Sequence, residues 1–335
     1  MDNARLQHIL NSARSKRLLV LGDLMLDEFV WGSVARISPE APVPIVEVNR
    51  ESSYPGGAAN VARNLREFTT VVTMLGLTGI DTAGEKLKGL LRDEGISSEG
   101  LFTDASAPTI VKTRIIAQRQ QVVRVDRDQR TAAGSSRSDI LEKARTLVAK
   151  SDAVLFEDYG KGFLDQPFVN AVLEAARANG VLVTCDPNPK NPLEWPGIST
   201  IKPNRAEAFA AAGIPFTQPV NPVEDDDALF RVGRTLLDRW NADAILITLS
   251  EQGMMLFRKD QQPYHTPTRA REIFDVSGAG DTAISLYTLA LAAGATPEES
   301  AEIANHAAGV VVGKLGTATC SRAELEESFM KDLSS

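Results

Sequence analysis

The sequence has 335 residues, of which 43% are hydrophobic, 24% charged and 6% aromatic. These proportions are typical of folded chains and argue against disorder. The 36 Lys and Arg residues stand against 44 Asp and Glu residues, which gives a net charge of −8. Without a basic excess, we expect no nucleic-acid partner.

Cysteine usage and hydropathy restrict the class of protein further. Cys185 and Cys320 lie far apart, and the three histidines form no cluster, so the sequence predicts neither a disulfide framework nor a zinc site. The N-terminal residues contain no apolar signal segment, and the longest apolar stretch, at residues 283–293, is too short to cross a bilayer. We therefore expect a cytoplasmic protein with no membrane partner.

Strands and helices alternate along the chain. Apolar runs predict strands at residues 17–23, 71–75, 153–157, 181–185, 199–202 and 244–248. Amphipathic or capped segments predict helices at residues 81–93, 139–150, 167–179, 204–212, 228–240, 280–293 and 297–312. This alternation predicts an α/β fold with a mostly parallel central sheet and helices on both faces. Ligands of such folds bind beyond the carboxyl ends of the strands.

Two stretches interrupt this alternation. Residues 43–48 (VPIVEV) are extended and flanked by prolines, and residues 109–126 (TIVKTRIIAQRQQVVRVD) resemble a hairpin with its turn near residues 118–121. Because no helix separates these strands, we expect a small β-element at about residues 24–50 and 108–127, placed beside the main sheet as a lid. The alternative is an edge extension of the main sheet.

Residues 275–282 (DVSGAGDT) carry the clearest chemical pattern. The backbone N–H groups of Gly278, Ala279 and Gly280 stand before a helix, where they form a site for an anion. Asp281 falls in the first turn, where a carboxylate repels phosphate. General-base catalysis on a hydroxyl that attacks the phosphate explains its presence. The alternative is an acidic residue that only stabilises the helix N-terminus.

The same segment also matches a dinucleotide-binding pattern, G-x-G-x-x-A, through Gly278, Gly280 and Ala283. That pattern would indicate an oxidoreductase. It occurs late in the chain, however, and the acidic residues about 20 positions on, Glu298 and Glu299, begin a helix instead of ending a strand. Residues 309–315 (GVVVGKL) lack the spacing and the Ser or Thr of a Walker A loop. The context therefore favours a phosphate loop of another kind.

Together with three further motifs, this loop resembles the signature of the ribokinase-like (PfkB) carbohydrate kinases. Residues 53–60 (SYPGGAAN) match the Gly-Gly sugar-binding motif of that family, residues 204–207 (NRAE) its Asn-x-x-Glu motif, and residues 248–253 (TLSEQG) its nucleotide loop. The four motifs follow the family order over nearly the whole chain. The resemblance implies a ribokinase-like fold and a sugar kinase that uses ATP and Mg²⁺.

A narrower resemblance points to the heptose 7-phosphate kinases of this family. It rests on residues 22–27 (GDLMLD), 36–44 (RISPEAPVP) and 157–162 (EDYGKG). It implies phosphorylation of the C1 hydroxyl of D-glycero-β-D-manno-heptose 7-phosphate, in the supply of ADP-heptose for lipopolysaccharide. Glu157 and Ser277 depart from the family, in which Ser and Thr are frequent at these positions.

Many of these kinases are fused to a nucleotidyltransferase domain that carries an HxGH-type motif. This sequence contains no such motif. We therefore expect a single kinase domain over residues 1–335 and no nucleotidyltransferase domain. Exposed edges of the predicted lid would pair between two copies and form a homodimer.

The resemblance also implies roles for individual residues. Asp281 would take the proton of the anomeric hydroxyl, while residues 278–280 receive the developing charge. The implied sugar contacts are Asp27, Gly56, Gly57, Asn60 and Lys161. The alternatives are a turn aspartate for Asp27, a helix N-cap for Asn60 and a solvated loop lysine for Lys161.

The 7-phosphate of the sugar requires cations. The candidates on the predicted lid are Lys112, Arg114, Arg119 and Arg124. Alternation along a strand places Lys112 and Arg114 on one face. A solvated face of the lid would explain these charges equally well.

On the nucleotide side, the resemblance places Asn204 and Glu207 near Mg²⁺ and the ATP phosphates, with Glu207 acting through water. The alternative is a capping box at a helix start. The implied ATP contacts are Thr248, Ser250 and Gly253, with Asn305 and Ala308 beside adenine. Asp275 is implied in a site for a monovalent cation such as K⁺. Two other functions stay open: a kinase for another sugar phosphate, such as fructose 6-phosphate, and a nucleotide-binding regulatory module without turnover.

Overall fold

A computed structural model describes residues 1–106, 108–118, 120–128, 137–270, 274–314 and 316–333. The α-helices in this part of the chain are α1 (Asn3–Ala13), α2 (Ala58–Arg66), α3 (Thr82–Asp93), α4 (Arg137–Val148), α5 (Gln166–Asn179), α6 (Arg205–Ala212), α7 (Asp227–Trp240), α8 (Ala279–Ala292), α9 (Pro297–Val311) and α10 (Arg322–Leu333). The strands are β1 (Arg17–Gly22), β2 (Leu24–Ile37), β3 (Pro44–Gly57), β4 (Val71–Gly79), β5 (Ser97–Asp104), β6 (Ile110–Ala117), β7 (Gln120–Arg127), β8 (Ala153–Glu157), β9 (Leu182–Asp186), β10 (Thr200–Ile201), β11 (Ala244–Thr248), β12 (Met254–Arg258) and β13 (Tyr264–Thr266).

Nine of these strands form the main sheet, in the order β13-β12-β11-β10-β9-β8-β1-β4-β5. Its pairs are parallel except those made by β12, which is antiparallel to both of its neighbours. From β1 the chain first proceeds to β4 and β5 on one side, and later to β8 and the following strands on the other side. The strand order therefore reverses between β1 and β8, which is where ligands bind in open α/β sheets.

Helices cover both faces of the main sheet, as the alternation of strands and helices predicts. Leu19 and Leu21 of β1 face the core that packs against α4, α5, α6 and α7. Leu18 and Val20 face the opposite core, to which α1, α2, α3, α8, α9 and α10 contribute. The strands of this sheet are continuous apolar runs because both of its faces are buried.

The remaining four strands form a separate small sheet, in the order β3-β2-β6-β7. The interpretation as a separate β-element is therefore correct, and the interpretation as an edge extension is wrong. The hairpin of β6 and β7 lies where the sequence places it. β2 and β3 are 14 residues long each, whereas the sequence predicts an extended segment only at residues 43–48. Asp23, between β1 and β2, is the point at which the chain leaves the main sheet for the small sheet.

Local capping residues define the ends of several predicted helices. Asp81 caps α3 with its side chain, and Gly180 and Gly213 end α5 and α6 in the left-handed conformation. Helices α1 and α10 and strands β5, β12 and β13 were not predicted: polar residues hide the periodicity of α1, α10 and β5, whereas β12 and β13 are short. No helix in the described ranges is long and apolar enough to cross a membrane.

Candidate active site

A cluster of buried charged side chains lies at the carboxyl ends of the main-sheet strands. Glu157 ends β8, Asp186 ends β9 and is paired with Glu157 in the parallel register, and Asp281 approaches from α8. One carboxylate oxygen from each of the three lies within 4.8 Å of the others. The buried ammonium group of Lys202, just beyond β10, forms an ion pair with Asp186 at 2.7 Å. Among the described residues, the cluster therefore brings three acidic groups together with Lys202.

Asp281 lies in the first turn of α8, as predicted, and is 9% exposed. Its Oδ2 accepts a hydrogen bond from Asn60 Nδ2 at 2.7 Å, and its Oδ1 accepts one from the Tyr159 hydroxyl at 3.0 Å. Burial raises the pKa of Asp281 above its usual value, while the hydrogen bond from Asn60 opposes the shift. The carboxylate is thus held in a fixed plane and made more basic, which suits a general base.

The backbone of the glycine loop before α8 lies close to side chains of the charged cluster. Gly278 is the N-cap residue, with φ of 80°, a left-handed conformation that favours glycine. A Cβ at Gly278 would lie 3.1 Å from Asn60 Nδ2, and one at Gly280 would lie 3.5 Å from Lys202 Nζ. The structure therefore places residues 278–280 against the charged cluster, with their N–H groups at the helix N-terminus.

Glu157 is the least satisfied member of the cluster. Its side chain is buried, and Oε2 has no hydrogen-bond partner among the described residues. Burial first, and the negative charges of Asp186 and Asp281 next, raise the pKa of Glu157 well above its usual value. Burial also raises the pKa of Asp186, to about 6, although Lys202 opposes the shift. These carboxylates are poised to accept a cation.

Asp27, Gly56, Gly57 and Asn60 lie where the small sheet leads into α2, and Asn60 contacts Asp281. Asp27 lies within β2 and not in a turn, so the alternative reading of this residue is wrong. A Cβ at Gly56 would overlap Oδ2 of Asp27. Gly57 has φ of 59° and precedes α2, in which Asn60 points its amide at Asp281. Asn60 is the third residue of this helix and not its N-cap.

The cations predicted to bind the substrate differ in their surroundings. Arg114 forms an ion pair with the buried Asp27, Arg124 pairs with Asp126 at 2.8 Å on the exposed strand β7, and Lys161 pairs with Asp128. Arg119 lies outside the described residues.

Lys112 has a different environment from these paired cations. Within the described ranges, no carboxylate lies within salt-bridge distance of its ammonium group. The group lies 5.3 Å from the centre of the Tyr159 ring, and burial lowers its pKa. Lys112 and Arg114 share one strand face, as predicted.

A cavity of about 320 Å³ adjoins the glycine loop on its other side. Its lining includes the predicted nucleotide contacts Thr248, Ser250, Gly253, Asn305 and Ala308, together with Ala279 and Gly280. The Asn305 amide donates to Thr266 Oγ1 at 3.0 Å and to the Pro267 carbonyl at 2.6 Å, so this side chain also anchors α9 to the cavity wall.

Asn204 and Glu207 do not line this cavity. They form the capping box at the start of α6: the Glu207 N–H donates to Asn204 Oδ1 at 3.0 Å, and the Asn204 N–H donates to Glu207 Oε2 at 2.8 Å. Glu207 lines the adjacent cavity with Pro187 and Asn188. The capping interpretation is therefore correct for both residues, and it leaves Glu207 Oε1 for another partner.

The carboxylate of Asp275 accepts hydrogen bonds from two segments of the chain. Its Oδ1 accepts from the Ser277 N–H at 2.9 Å, and its Oδ2 accepts from the Gly316 N–H at 3.1 Å. These bonds hold the start of the glycine loop, and the structure thereby gives Asp275 a structural role whether or not a cation binds nearby.

Five residues of this site were not predicted to be functional: Asp23, Glu157, Tyr159, Asp186 and Lys202. Asp186 follows the strand predicted at residues 181–185, and Lys202 ends the one predicted at residues 199–202, so charged residues at the carboxyl ends of parallel strands were the available signal. Tyr159 lies in the segment 157–162, in which only Lys161 was predicted to contact the substrate.

This fold and site define a carbohydrate kinase of the α/β class. The family model of the pfkB family carbohydrate kinases matches residues 15–324. The chain therefore belongs to the pfkB family of carbohydrate kinases.

Two curated relatives match nearly the whole chain. The chain is 40% identical over 326 residues to the "Bifunctional protein HldE" of Pelobacter propionicus, which covers 97% of this chain and 65% of the relative. It is 40% identical over 314 residues to the protein of the same name from Helicobacter hepaticus, covering 93% of this chain and 64% of the relative. The chain thus spans slightly less than two thirds of the length of these relatives.

Solved structures confirm the ribokinase-like fold. Phosphofructokinase-2 from Escherichia coli in complex with substrates and products has a TM-score of 0.74 at 20% identity, covering 95% of this chain and 99% of that one. Arabidopsis thaliana ribokinase complexed with ribose and ATP has a TM-score of 0.69 at 19% identity, covering 94% and 98%.

Ribokinase-like kinases use ATP with Mg²⁺, and the donor set of this site fits that ion. Mg²⁺ prefers carboxylate oxygens and retains several waters. Glu157 and Asp186 offer such oxygens beside the glycine loop, and the buried Oε2 of Glu157 lacks a hydrogen-bond donor in the described part of the chain.

Proposed function

We propose that this protein transfers the γ-phosphoryl group of ATP to the C1 hydroxyl of D-glycero-β-D-manno-heptose 7-phosphate. The 1,7-bisphosphate is the product. The observation that carries the proposal is the position of Asp281. Asp281 directly follows Ala279 and Gly280, which line the cavity. Its carboxylate accepts a hydrogen bond from the Asn60 amide. Asn60 belongs to the segment whose Gly56 lies against Asp27. The resemblance of three motifs to heptose 7-phosphate kinases, together with the identity to HldE proteins, supports the choice of sugar.

Asp281 acts as the general base of this reaction. The anomeric hydroxyl gives its proton to the carboxylate as the C1 oxygen forms a bond to the γ-phosphorus. The bond from that phosphorus to the bridging oxygen of ADP breaks, and ADP takes the electron pair. An anomeric hydroxyl is more acidic than an ordinary one, so a buried carboxylate of raised pKa is a sufficient base. The N–H groups of Gly278, Ala279 and Gly280 stabilise the charge on the transferred group.

Recognition of the acceptor is divided between two groups of residues. Asp27, Gly56, Gly57 and Asn60 contact the sugar hydroxyls. The 7-phosphate binds the cations of the small sheet and of the loop after β8: Lys112, Arg114, Arg124 and Lys161. Of these, Lys112 carries the largest share, because it is the described cation of this group without a carboxylate at salt-bridge distance.

ATP occupies the cavity beside Thr248, Ser250, Gly253, Asn305 and Ala308. Mg²⁺ would be held by Glu157 and Asp186, with Glu207 acting through water, and it would neutralise charge on the ATP phosphates. Asn204 keeps Glu207 in place through the capping box. Asp275 shapes the loop at which a monovalent cation, such as K⁺, would bind.

The small sheet serves as a lid of one kinase domain over residues 1–335. Its strand β7 is exposed along its whole length, and Val122, Val123 and Val125 are among its exposed apolar side chains. Pairing of two such sheets would bury these valines, so a homodimer through the lid completes the proposal. Sedimentation of the protein at several concentrations tests this part.

Release of ADP with a panel of acceptors tests the function: heptose 7-phosphate, fructose 6-phosphate, ribose and no sugar. We expect stimulation by heptose 7-phosphate alone, with a bisphosphate whose new phosphorus couples to the proton on C1 in the ³¹P spectrum. Stimulation by another sugar would refute the proposed substrate and keep the kinase. Absence of stimulation by any sugar, in folded protein supplied with Mg²⁺ and K⁺, would favour a binding module without turnover.

A further inference from the structure

Tyr159 connects the two halves of the site. Its hydroxyl donates a hydrogen bond to Asp281 Oδ1 at 3.0 Å. Its ring lies beneath the ammonium group of Lys112, which is 5.3 Å from the ring centre. One side chain thus contacts both the proposed base and the cation proposed to bind the distal phosphate. The sequence motifs assign no role to Tyr159, which lies beside the predicted substrate contact Lys161.

The backbone around Tyr159 is fixed by the buried carboxylate of Asp23. Oδ2 of Asp23 accepts from the N–H groups of Tyr159 at 3.0 Å and of Lys161 at 2.9 Å, and Oδ1 accepts from that of Phe163 at 3.1 Å. Gly160 and Gly162 supply the positive φ angles, 67° and 104°, that turn successive N–H groups toward Asp23. The loop is therefore held at the junction of the two sheets, and the phenol has little freedom to leave Asp281.

The two donors on Asp281 come from different parts of the chain. Asn60 of α2 binds Oδ2, and Tyr159 of the loop after β8 binds Oδ1. A carboxylate bound by one donor can still rotate about its Cβ–Cγ bond, whereas two donors on separate oxygens fix its plane. Each oxygen has two lone pairs, so Oδ1 keeps an acceptor site for the proton of an incoming hydroxyl.

We propose that Tyr159 is a positioning residue that orients the Asp281 carboxylate through its hydroxyl and supports Lys112 through its ring. This inference rests on the proposed function, in which Asp281 is the base. The hydroxyl acts on the chemical step, and the ring acts on acceptor binding. The two effects are separable because phenylalanine retains the ring and removes only the hydroxyl.

Steady-state kinetics of Tyr159→Phe and Tyr159→Leu test the inference. We expect Tyr159→Phe to lower kcat by about 10- to 100-fold, because a base that is free to rotate spends less time aligned, while KM for the sugar phosphate stays within about twofold. Tyr159→Leu should show the same loss of kcat and, in addition, raise KM for the sugar phosphate by about three- to tenfold, because Lys112 loses its aromatic platform.

Tyr264→Phe is the matched control. The Tyr264 hydroxyl also donates to a carboxylate, Glu302 Oε1 at 2.6 Å, but this pair lies on β13 and α9, outside the proposed base and acceptor site. We expect its kcat and KM for the sugar phosphate to equal those of the wild type. Melting temperatures of all variants establish that each is folded at the assay temperature.

The outcomes separate this inference from the proposed function. If Asp281→Asn is inactive and Tyr159→Phe has the wild-type kcat, the positioning role is wrong and the base assignment stands. If Tyr159→Phe changes KM for the sugar phosphate and not kcat, the hydroxyl contacts the acceptor and the inference is overturned. If Asp281→Asn keeps the wild-type kcat, the proposed mechanism itself fails.

Discussion

The two sheets of this protein differ in how their charged side chains are paired. At the carboxyl end of the main sheet, Glu157, Asp186 and Asp281 are crowded together in a buried place with Lys202 as their counter-ion. On the small sheet and its neighbouring loop, Arg114, Arg124 and Lys161 each stand beside an aspartate. Parallel strands that end side by side bring like charges together. The small sheet is mixed, with β2 parallel to β6 and its other pairs antiparallel, and it is partly open to water, so each of these charges lies beside its own partner.

This difference in charge pairing suggests different roles for the two sheets in the reaction. Burial first, and the neighbouring negative charges in addition, raise the pKa values of Glu157 and Asp281, which favours the binding of a cation and the removal of a proton. The small sheet, by contrast, leaves Lys112 without a carboxylate at salt-bridge distance in the described part of the chain. We therefore expect changes in the main-sheet cluster to affect the chemical step and changes in the small sheet to affect the choice of acceptor.

Asp281→Asn tests the main-sheet half and should have the largest effect. An amide accepts hydrogen bonds but cannot take up the proton of the C1 hydroxyl. We expect kcat to fall by about 10³-fold or more, with the dissociation constant of ATP unchanged within about threefold. Rates of ADP release and calorimetric titration with ATP measure the two quantities. A loss of kcat below tenfold would contradict the assignment of Asp281 as base.

Gly253→Ala tests whether the nucleotide cavity depends on backbone shape. Gly253 has φ of 86°, and a Cβ there would overlap the Thr266 carbonyl and lie 2.6 Å from the Thr268 nitrogen. We expect a loss of about 2–4 kcal/mol in the free energy of unfolding and a higher KM for ATP, with KM for the sugar phosphate little changed.

Gly180→Ala is the matched control for this steric effect. Gly180 also has a positive φ, 63°, but nothing lies within 4 Å of the position of its Cβ, and it ends α5 away from the cavity. We expect a cost of about 1 kcal/mol from the backbone conformation alone and no change in KM for ATP. Equal effects of both variants on KM for ATP would contradict the steric argument.

His306 lies outside both halves and should affect stability alone. Its buried ring stacks on Phe329 with the centroids 3.8 Å apart, and Nδ1 lies 2.8 Å from Ser328 Oγ. Burial first, and the charge of Arg269 next, lower the pKa of His306 from 6.5 to about 4. The unfolded chain therefore binds this proton more readily than the folded chain, and the stability contributed by neutral His306 is lost as the pH falls from about 6.5 toward 4.

Urea unfolding of the wild type and His306→Gln measures this loss. Between about pH 7 and pH 5, the wild type should lose about 2 kcal/mol more of its free energy of unfolding than the variant loses. The kcat of the variant should equal that of the wild type near pH 7. Parallel pH dependence of the two proteins would show that His306 is not buried in its neutral form.

The sequence predicted the parts of the site that are contiguous in the chain. Residues 278–281 and 56–60 lie within single segments, and their glycines mark where the backbone must come close to a partner. The Asp186–Lys202 pair could not be found in this way, because it depends on the lateral alignment of β8, β9 and β10. The same alignment creates the crowding of Glu157 against Asp186.

The small sheet shows a similar limit. Its β6–β7 hairpin was predicted because side chains alternate over a short distance. Strands β2 and β3 were underestimated because their pairing is interrupted by register shifts, at Trp31/Gly32 and Val34/Arg36, and because their outer halves are polar and exposed. Such bulged strands lose the strict alternation on which prediction depends.

The most direct test of the account compares two acceptors in two proteins: heptose 7-phosphate and heptose, with the wild type and Lys112→Met. Arg124→Gln is the comparison variant: Arg124 is also proposed to bind the phosphate, but it is exposed and paired with Asp126, so we expect a smaller loss than with Lys112→Met. We predict that Lys112→Met lowers kcat/KM for heptose 7-phosphate by about 10- to 100-fold and changes kcat/KM for heptose by less than about threefold, since only the phosphate interacts with the missing charge. An equal loss for both acceptors, or a larger loss with Arg124→Gln than with Lys112→Met, would contradict the claim that the small sheet selects the phosphorylated acceptor through Lys112.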